Sequence, residues 1–387
     1  IRASWGRIGN DKIATGAAFP TVAGNINAVF GENEDINPGR TLTELANTEL
    51  RWEETEQYDV GIELNLFNDK LTTEVDWYRR QTDDILVRVP IPLSVGVFTE
   101  PIVNAASVLN RGFDITLRWR EQRRNFSYSI GFNGSTIHNE VLSLGQGRDE
   151  ILAGNVRNLG FTTRTVTGQP IGAFFGWKSD GLFQTQAEID NSPTRGVEQP
   201  GDIRIVDTNG DGVIDEDDKV FLGSPIPDFV YGINLSGAYK NFDIALDFDG
   251  QTGNKILNAR LAERGFRQLN YDASFLNRWT GPGTSNSEPR VTESGHNFQV
   301  LDRFLEDGDF LRLRNIQLGY TLPVGSLAGV DFRRIRVFAN ATNLFTNTDF
   351  NGFNPQVGGG PVIATGIAGE NIFPIAKSFT FGVEIDF

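Results

Sequence analysis

Apolar and polar residues alternate along this chain with a period of two, and no other property limits its fold so sharply. In "SFTFGVEIDF", Phe379, Phe381, Val383, Ile385 and Phe387 alternate with Ser378, Thr380, Gly382, Glu384 and Asp386. In "QYDVGIELNLF", Tyr58, Val60, Ile62, Leu64 and Leu66 alternate with Gln57, Asp59, Gly61, Glu63 and Asn65. The pattern recurs at Phe113, Ile115, Leu117, Trp119; at Phe126, Tyr128, Ile130, Phe132; and at Phe229, Tyr231, Ile233, Leu235. It returns at Ile244, Leu246, Phe248 and at Ile335, Val337, Ala339, Ala341. Successive strand side chains point to opposite faces, so each segment carries one apolar and one polar face. The 43 glycines and 29 phenylalanines supply the turns and aromatic faces that an all-β fold uses.

Four pairs of segments are joined by short polar or Gly/Pro-containing turns: "FNDK" (67–70), "REQRRN" (120–125), "YKNF" (239–242) and "PVGSLAGVD" (323–331). Long connections separate the pairs, roughly 10–50, 80–109, 138–226, 250–307 and 346–375. Short turns at one end and long loops at the other are the pattern of an outer-membrane barrel. With strands at 1–9 and 378–387, the count reaches about ten. A soluble sandwich or a β-solenoid also alternates. Here, however, the apolar faces are heavily aromatic, Glu63, Asp76, Asp114 and Asp247 suit a wet lumen, and no repeat of ~20–50 residues is found. No run approaches the ~20 apolar residues of a spanning helix, so any crossing is made by strands. The alternation expects Ile62, Leu117, Ile233, Ile244 and Val383 toward lipid and Glu63, Asp114, Asp247 and Glu384 toward the lumen. The phase slips in "DFLRLRNIQLGY", where Arg312 and Arg314 share a face with Ile316 and Leu318. Either the strand leaves the membrane there or a bulge resets its register.

Charge and missing motifs narrow the function. Fifty acidic against 35 basic residues give a net charge of −15, the wrong sign for a nucleic-acid partner. Without cysteine there is no disulfide, zinc knuckle or thiol nucleophile. The two histidines, His138 and His296, are far apart, and no G-x-S-x-G, H-E-x-x-H or G-x4-G-K-[ST] is present. Carboxylate pairs of a glycosidase type read as solvated loop or lumen charge, so the chain is not read as an enzyme.

One loop has metal-ligand spacing. In "VDTNGDGVIDEDD" (206–218), Asp207, Asn209, Asp211, the Val213 carbonyl, Asp215 and Asp218 stand at positions 1, 3, 5, 7, 9 and 12 of a calcium loop, with Gly212 at position 6. Position 12 is Asp rather than Glu, which weakens bidentate closure. The competing reading is a solvated acidic turn. The β-branched "GDIRIV" before it and the helix-breaking "GSPIP" after it remove the flanking helices of a sensor, leaving calcium a static, structural role. Aromatic residues of the long loops, Phe174, Phe175, Trp177, Trp279, Phe350 and Phe353, either pack a loop core or stack on a sugar or peptide. "GAFFGWKSDGLF" (172–183) reads as a β-element with Trp177 inward, and the Gly-rich "VGGGPVIATGIAGE" (357–370) as a mobile loop.

Several stretches resemble the C-terminal part of SusC/RagA-type TonB-dependent outer-membrane transporters. They are "LRWEETEQYDVGIELNLFNDKLTTEVDWYRRQTDDIL" (50–86), "NAASVLNRGFDITL" (104–117) and "PGDIRIVDTNGDGVIDEDDKVFLGSPIPDFVYGINLS" (200–236). "DGDFLRLRNIQLGYTLP" (307–323), "RIRVFANATNLFTNTDFNGFNP" (334–355) and "FPIAKSFTFGVEIDF" (373–387) carry the most specific likeness. Ala376-Lys377 stands where the family usually has Pro-Arg, and Asn354 where Asp is commoner before Pro355.

The resemblance implies an all-β fold: about ten strands of a larger, plugged transmembrane antiparallel β-barrel of ~22 strands. The plug domain, TonB box and first barrel half would lie outside this chain, which opens in a strand at Ile1 and is expected to be a piece of something longer. The 138–226 connection would be an extracellular insertion holding the 207–218 loop. The resemblance further implies import of an oligosaccharide or peptide across the bacterial outer membrane, with a SusD-like surface lipoprotein as lid and TonB pulling on the plug. A homodimer of transporter–lipoprotein pairs belongs to the same expectation. A structural or adhesive surface barrel and a calcium-stabilised secreted β-protein are the alternatives. Because open strand edges are not viable in lipid, Ser378–Phe387 is expected to pair with a strand upstream of Ile1, with Phe387 as the C-terminus on the periplasmic side.

Overall fold

A computed structural model of the chain describes residues 1–11, 19–88, 91, 93–97, 99, 101–145, 148–157, 159–262, 273–292, 295–323, 326–327, 330–369 and 372–386. Ten long strands form one wall: β1 (Arg2–Asn10), β2 (Glu53–Leu66), β3 (Leu71–Arg88), β4 (Ile102–Arg123), β5 (Phe126–Thr136), β6 (Phe229–Tyr239), β7 (Phe242–Thr252), β8 (Phe310–Leu322), β9 (Arg334–Thr348) and β10 (Ser378–Asp386). Each pairs antiparallel with the next, so order in the sheet is order in the chain. A further strand, His138–Ser143, pairs with the far part of β4. Among the described residues β1 and β10 are open edges; the sheet does not close on itself.

Register carries the two faces across the whole wall. Ile62 lies opposite Val75, Leu117 opposite Phe132, Phe132 opposite Ile233, Ile244 opposite Leu318 and Val337 opposite Val383. On the other face Glu63 meets Glu74, Asp76 meets Asp114, Asn234 meets Asp247, and Arg336 meets Glu384. The apolar side is uncovered: Ile62 is 47% exposed, Ile244 40% and Val383 60%. A sandwich would bury these residues against a second sheet. The phase slip in β8 is a bulge, since Leu313 and Asn315 pair with the adjacent residues Phe248 and Asp247 of β7. Arg314 is the extra residue, and Arg312 rejoins the polar face, where its Nε donates to Asp249 Oδ1 at 3.0 Å.

The turns are tighter than the sequence suggests. β4 and β5 run to Arg123 and from Phe126, leaving only Arg124 and Asn125 between them, and Lys240–Asn241 alone join β6 to β7. Lys240 takes the left-handed conformation (φ 54°) that such two-residue hairpins require. The "FNDK" turn is built from three left-handed residues, Phe67, Asn68 and Asp69. Of the turn over 323–331, residues 324–325 and 328–329 lie outside the described residues, as do Glu370 and Phe387. Most of the 80–109 connection is strand, because β3 and β4 continue their pairing to Arg88 and Ile102. The 10–50 connection holds its own hairpin, Thr21–Phe30 with Asp35–Glu44.

The hydrophobic core sits at the loop end, outside the wall. Phe174, Trp177, Leu182, Ile203, Ile205, Ile214, Leu257, Leu301 and Phe304 form one buried cluster drawn from the 138–226 and 250–307 connections. A second cluster, with Val108, Val141, Ile151, Ile171 and Ile363, roots that body on the extended end of β4. This division follows from the solvent each part meets. A barrel wall keeps its apolar surface outward, whereas loops in water must bury theirs.

Candidate functional site

The charged face of the wall is knitted into ion pairs. The Arg336 guanidinium is bidentate on Asp243, Nε to Oδ1 at 3.0 Å and Nη2 to Oδ2 at 2.6 Å, and its Nη1 reaches Glu384 Oε1 at 3.2 Å. Room for this comes from Gly319, where an added Cβ would lie 2.4 Å from Asp243 Oδ1 and 2.5 Å from Arg336 Nη2. Asp247 accepts from Asn234 Nδ2 at 2.6 Å and Asn315 Nδ2 at 3.1 Å, and Asn340 Nδ2 donates to Asn315 Oδ1 at 2.6 Å. At the β1 edge Arg2 serves Asp76 and Glu74. Where Glu63 meets Glu74 and Asp76 meets Asp114 the face keeps an excess of carboxylates, as a water-filled lumen allows.

Above it, the loop body is organised around an aspartate that sequence reasoning missed. Asp202 is 1% exposed. Its carboxylate takes Arg290 Nε at 2.7 Å and Nη2 at 3.2 Å, Asn297 Nδ2 at 2.8 Å and the Gln199 N–H at 2.9 Å. Beside it the buried His296 donates from Nε2 to the Ile203 carbonyl at 2.6 Å, and its Nδ1 faces Glu198 Oε1 at 3.6 Å. The chain separation of about ninety residues between Asp202 and its side-chain partners Arg290 and Asn297 left no local signal to read.

The 207–218 loop hangs from this body. Trp177 is buried as expected, and its Nε1 donates to the Asp215 carbonyl at 2.8 Å. Ile214 is buried below, and Val213 bridges to Thr194. Gly210 and Gly212 turn the chain at φ 77° and 88°. Asp207 receives the Gly210 and Gly212 N–H groups at 2.7 and 2.9 Å, while Asp211 receives Val213 N–H and Asn209 Nδ2 at 2.9 and 3.1 Å. Asp215 caps the short turn Glu216–Asp218 through the Asp217 N–H, at 2.9 Å. Asp218 is fully buried and closes the loop, accepting from Thr208 N–H at 2.8 Å, Asn209 N–H at 3.4 Å and Asp215 N–H at 2.9 Å. Burial pushes its pKa up, but the Asp215, Thr208 and Asn209 N–H groups together outweigh that and hold the carboxyl below its ordinary value. The six residues therefore share one closed turn, in which the side-chain oxygens of Asp207, Asn209, Asp211, Asp215 and Asp218 accept from backbone amides. Among the described residues no three His, Cys, Asp or Glu side chains converge as a metal site.

The loop aromatics divide. Phe174, Trp177 and Phe350 are core, and Trp279 packs against the same cluster with its Nε1 on Gln184 Oε1 at 3.1 Å. Phe353 remains exposed, with the Arg260 guanidinium 4.9 Å from its ring.

A ten-strand antiparallel meander with an uncovered apolar face, a charged opposite face and loops massed at one end is part of an outer-membrane β-barrel wall. Residues 1–344 match the family model described as TonB dependent receptor-like, beta-barrel. The chain belongs to that family, a family of the bacterial outer membrane. It is 32% identical over 364 residues to TonB-dependent receptor P3 of Formosa agariphila, covering 92% of this chain and 35% of that protein. To TonB-dependent receptor SusC of Bacteroides thetaiotaomicron it is 25% identical over 396 residues, covering 100% of this chain and 37% of that protein. The solved structure of the RagAB peptide transporter superposes with a TM-score of 0.80 at 25% identity, over 100% of this chain and 40% of its own. The chain thus spans little more than a third of the length of these curated relatives, and the SusC/RagA resemblance holds along it.

Proposed function

We propose that this chain forms the C-terminal part of the wall and the loop cap of a TonB-dependent importer. Its cargo would be an oligosaccharide or peptide, delivered through a SusD-like surface lipoprotein and driven by TonB through segments outside these residues. The observation that carries the reading is the pairing of a charged, ion-paired face with a loop body of its own hydrophobic core at one end of the wall. A polar lumen is common to outer-membrane barrels, so the passage reading draws its support from the lining together with the family. The likeness to the RagAB peptide transporter supports the same class. In this reading 138–226 is extracellular, and transporter–lipoprotein pairs assemble as a homodimer. The test is uptake of labelled oligosaccharides and peptides by cells with and without the gene. Loss of uptake of one class is expected; unchanged uptake with lost surface adhesion would leave only the structural barrel.

We further infer that the 207–218 loop takes a calcium ion, with Asp207, Asn209, Asp211, the Val213 carbonyl, Asp215 and Asp218 as donors. The twelve-residue spacing and Gly212 at φ 88° support it. Binding requires Asp207, Asn209, Asp211, Asp215 and Asp218 each to turn an oxygen from backbone amides toward the ion. Calorimetry of the intact protein with Ca²⁺ at millimolar concentration checks this, since extracellular modules bind at ~10⁻⁴–10⁻³ M. No heat of binding, with unchanged proteolysis of the loop, would leave an acidic turn.

A further inference from the structure

One row of residues on the apolar face departs from its surroundings. Trp5, Tyr58, Arg79, Arg111 and His138 are successive cross-strand partners, running over β1, β2, β3, β4 and the His138–Ser143 strand. The row beneath is Ala3, Val60, Trp77 and Phe113, which is apolar throughout. The row above, Arg7, Glu56, Gln81, Leu109 and Glu140, is mostly polar. The five residues therefore mark the upper border of the hydrocarbon band, where Trp and Tyr collect in membrane barrels.

Arg79 and Arg111 stand directly opposite each other, an arrangement that repels unless an anion lies between. Among the described residues no carboxylate supplies it. Arg79 Nη2 donates there to the neutral Gln81 Oε1, at 2.9 Å, and Arg111 is exposed. The nearby acids are engaged elsewhere: Glu56 Oε1 takes Trp5 Nε1 at 3.0 Å and Tyr58 OH at 3.1 Å, and Glu140 faces His138 at 3.5 Å. A cleft of about 410 Å³ opens beside Arg111 and His138, with Glu140 and Asp228 also on its walls.

We propose that Arg79 and Arg111, flanked by His138, bind the phosphate group of an anionic lipid of the outer leaflet. Guanidinium forks match phosphate oxygens, and two of them can share one phosphate. The occupant is a lipid rather than a soluble phosphate because the pair lies on the hydrocarbon-facing side, directly above Trp77 and Phe113, where acyl chains must pack. A second protein is a poorer fit, since Trp5 and Tyr58 in the same row are residues of a lipid interface. The proposal rests on the loop end facing outward, as read above.

The test uses the intact transporter in micelles carrying diphosphorylated lipid A, its dephosphorylated form, or the former with millimolar inorganic phosphate. Bound lipid is counted by native mass spectrometry. The wild type should retain the phosphorylated glycolipid selectively, and Arg79→Gln with Arg111→Gln should lower its affinity about thirtyfold, roughly fivefold per arginine. Arg79→Lys with Arg111→Lys should recover part of it. Heat-modifiable electrophoretic mobility shows whether each variant is assembled, and the single Gln substitutions, expected to lose about fivefold each, keep the test open if the double variant fails. Equal retention of both glycolipids overturns the proposal. So does full displacement by inorganic phosphate, which means a free-anion site, or loss of a cross-link to another protein copy in the double variant. Surface labelling of a Val213→Cys variant fixes the outward end independently, and uptake by the same cells reports on the importer reading separately.

Discussion

Asp218 shows how a single side chain can hold a loop without any partner of opposite charge. Three backbone N–H groups converge on its buried carboxylate. Replacing it with Ala strands them, at a cost of about 2–3 kcal/mol to local stability, measurable as faster amide exchange at Thr208, Asn209 and Asp215. The same carboxyl has its pKa lowered on folding. Its contribution is therefore present above the unfolded value of about 3.9 and is lost as pH falls through the folded value. Exchange corrected for intrinsic rates should show the loop loosening only in acid, before the wall changes. Asp202 is the second such residue, and its loss uncovers Arg290, Asn297 and the Gln199 N–H together. Asp202→Ala should cost about 2–4 kcal/mol. Limited proteolysis should then open 195–205 and 290–301 while the wall resists; equal resistance of wild type and variant would deny Asp202 this role.

Among the elements, the strands were readable and the loop body was not. Period two is a local property, so the faces of β2, β4 and β7 follow from neighbours in the chain, and even the bulge at Arg314 announced itself as a phase slip. The hairpin Thr21–Phe30 with Asp35–Glu44 escaped, because Gly24, Asn25, Asn27 and Gly39 break its alternation. The alternation makes a sharp prediction. Ile62→Arg should cost about 2–4 kcal/mol if it lies near the bilayer midplane. Glu63→Gln, one residue away on the wet face, should change stability by less than about 0.5 kcal/mol. Refolding titrations of the intact barrel into lipid vesicles compare the two, and equal costs would mean the faces are misassigned.

For the whole molecule, the decisive feature is a sheet with one apolar face whose two edges are unpaired among the described residues. Such edges are not tolerated in hydrocarbon, so we expect β1 and β10 to pair with strands outside these residues. Cysteines placed on Ser378–Asp386 and on the strand upstream of β1 in the intact protein should form a disulfide in cell membranes. A cross-link between β1 and β10 instead would mean a small complete barrel.

What the sequence determined by itself was the set of ten wall strands, the assignment of their faces and the location of the 207–218 turn. Each depends on residues a few positions apart, through side-chain alternation, turn chemistry and loop spacing. Tertiary structure alone decided that the loops share a core beneath Trp177, that Asp202 gathers Arg290 and Asn297, and that Arg79 meets Arg111. Those contacts join segments tens of residues apart, and their partners are selected by packing and register, which no local pattern encodes.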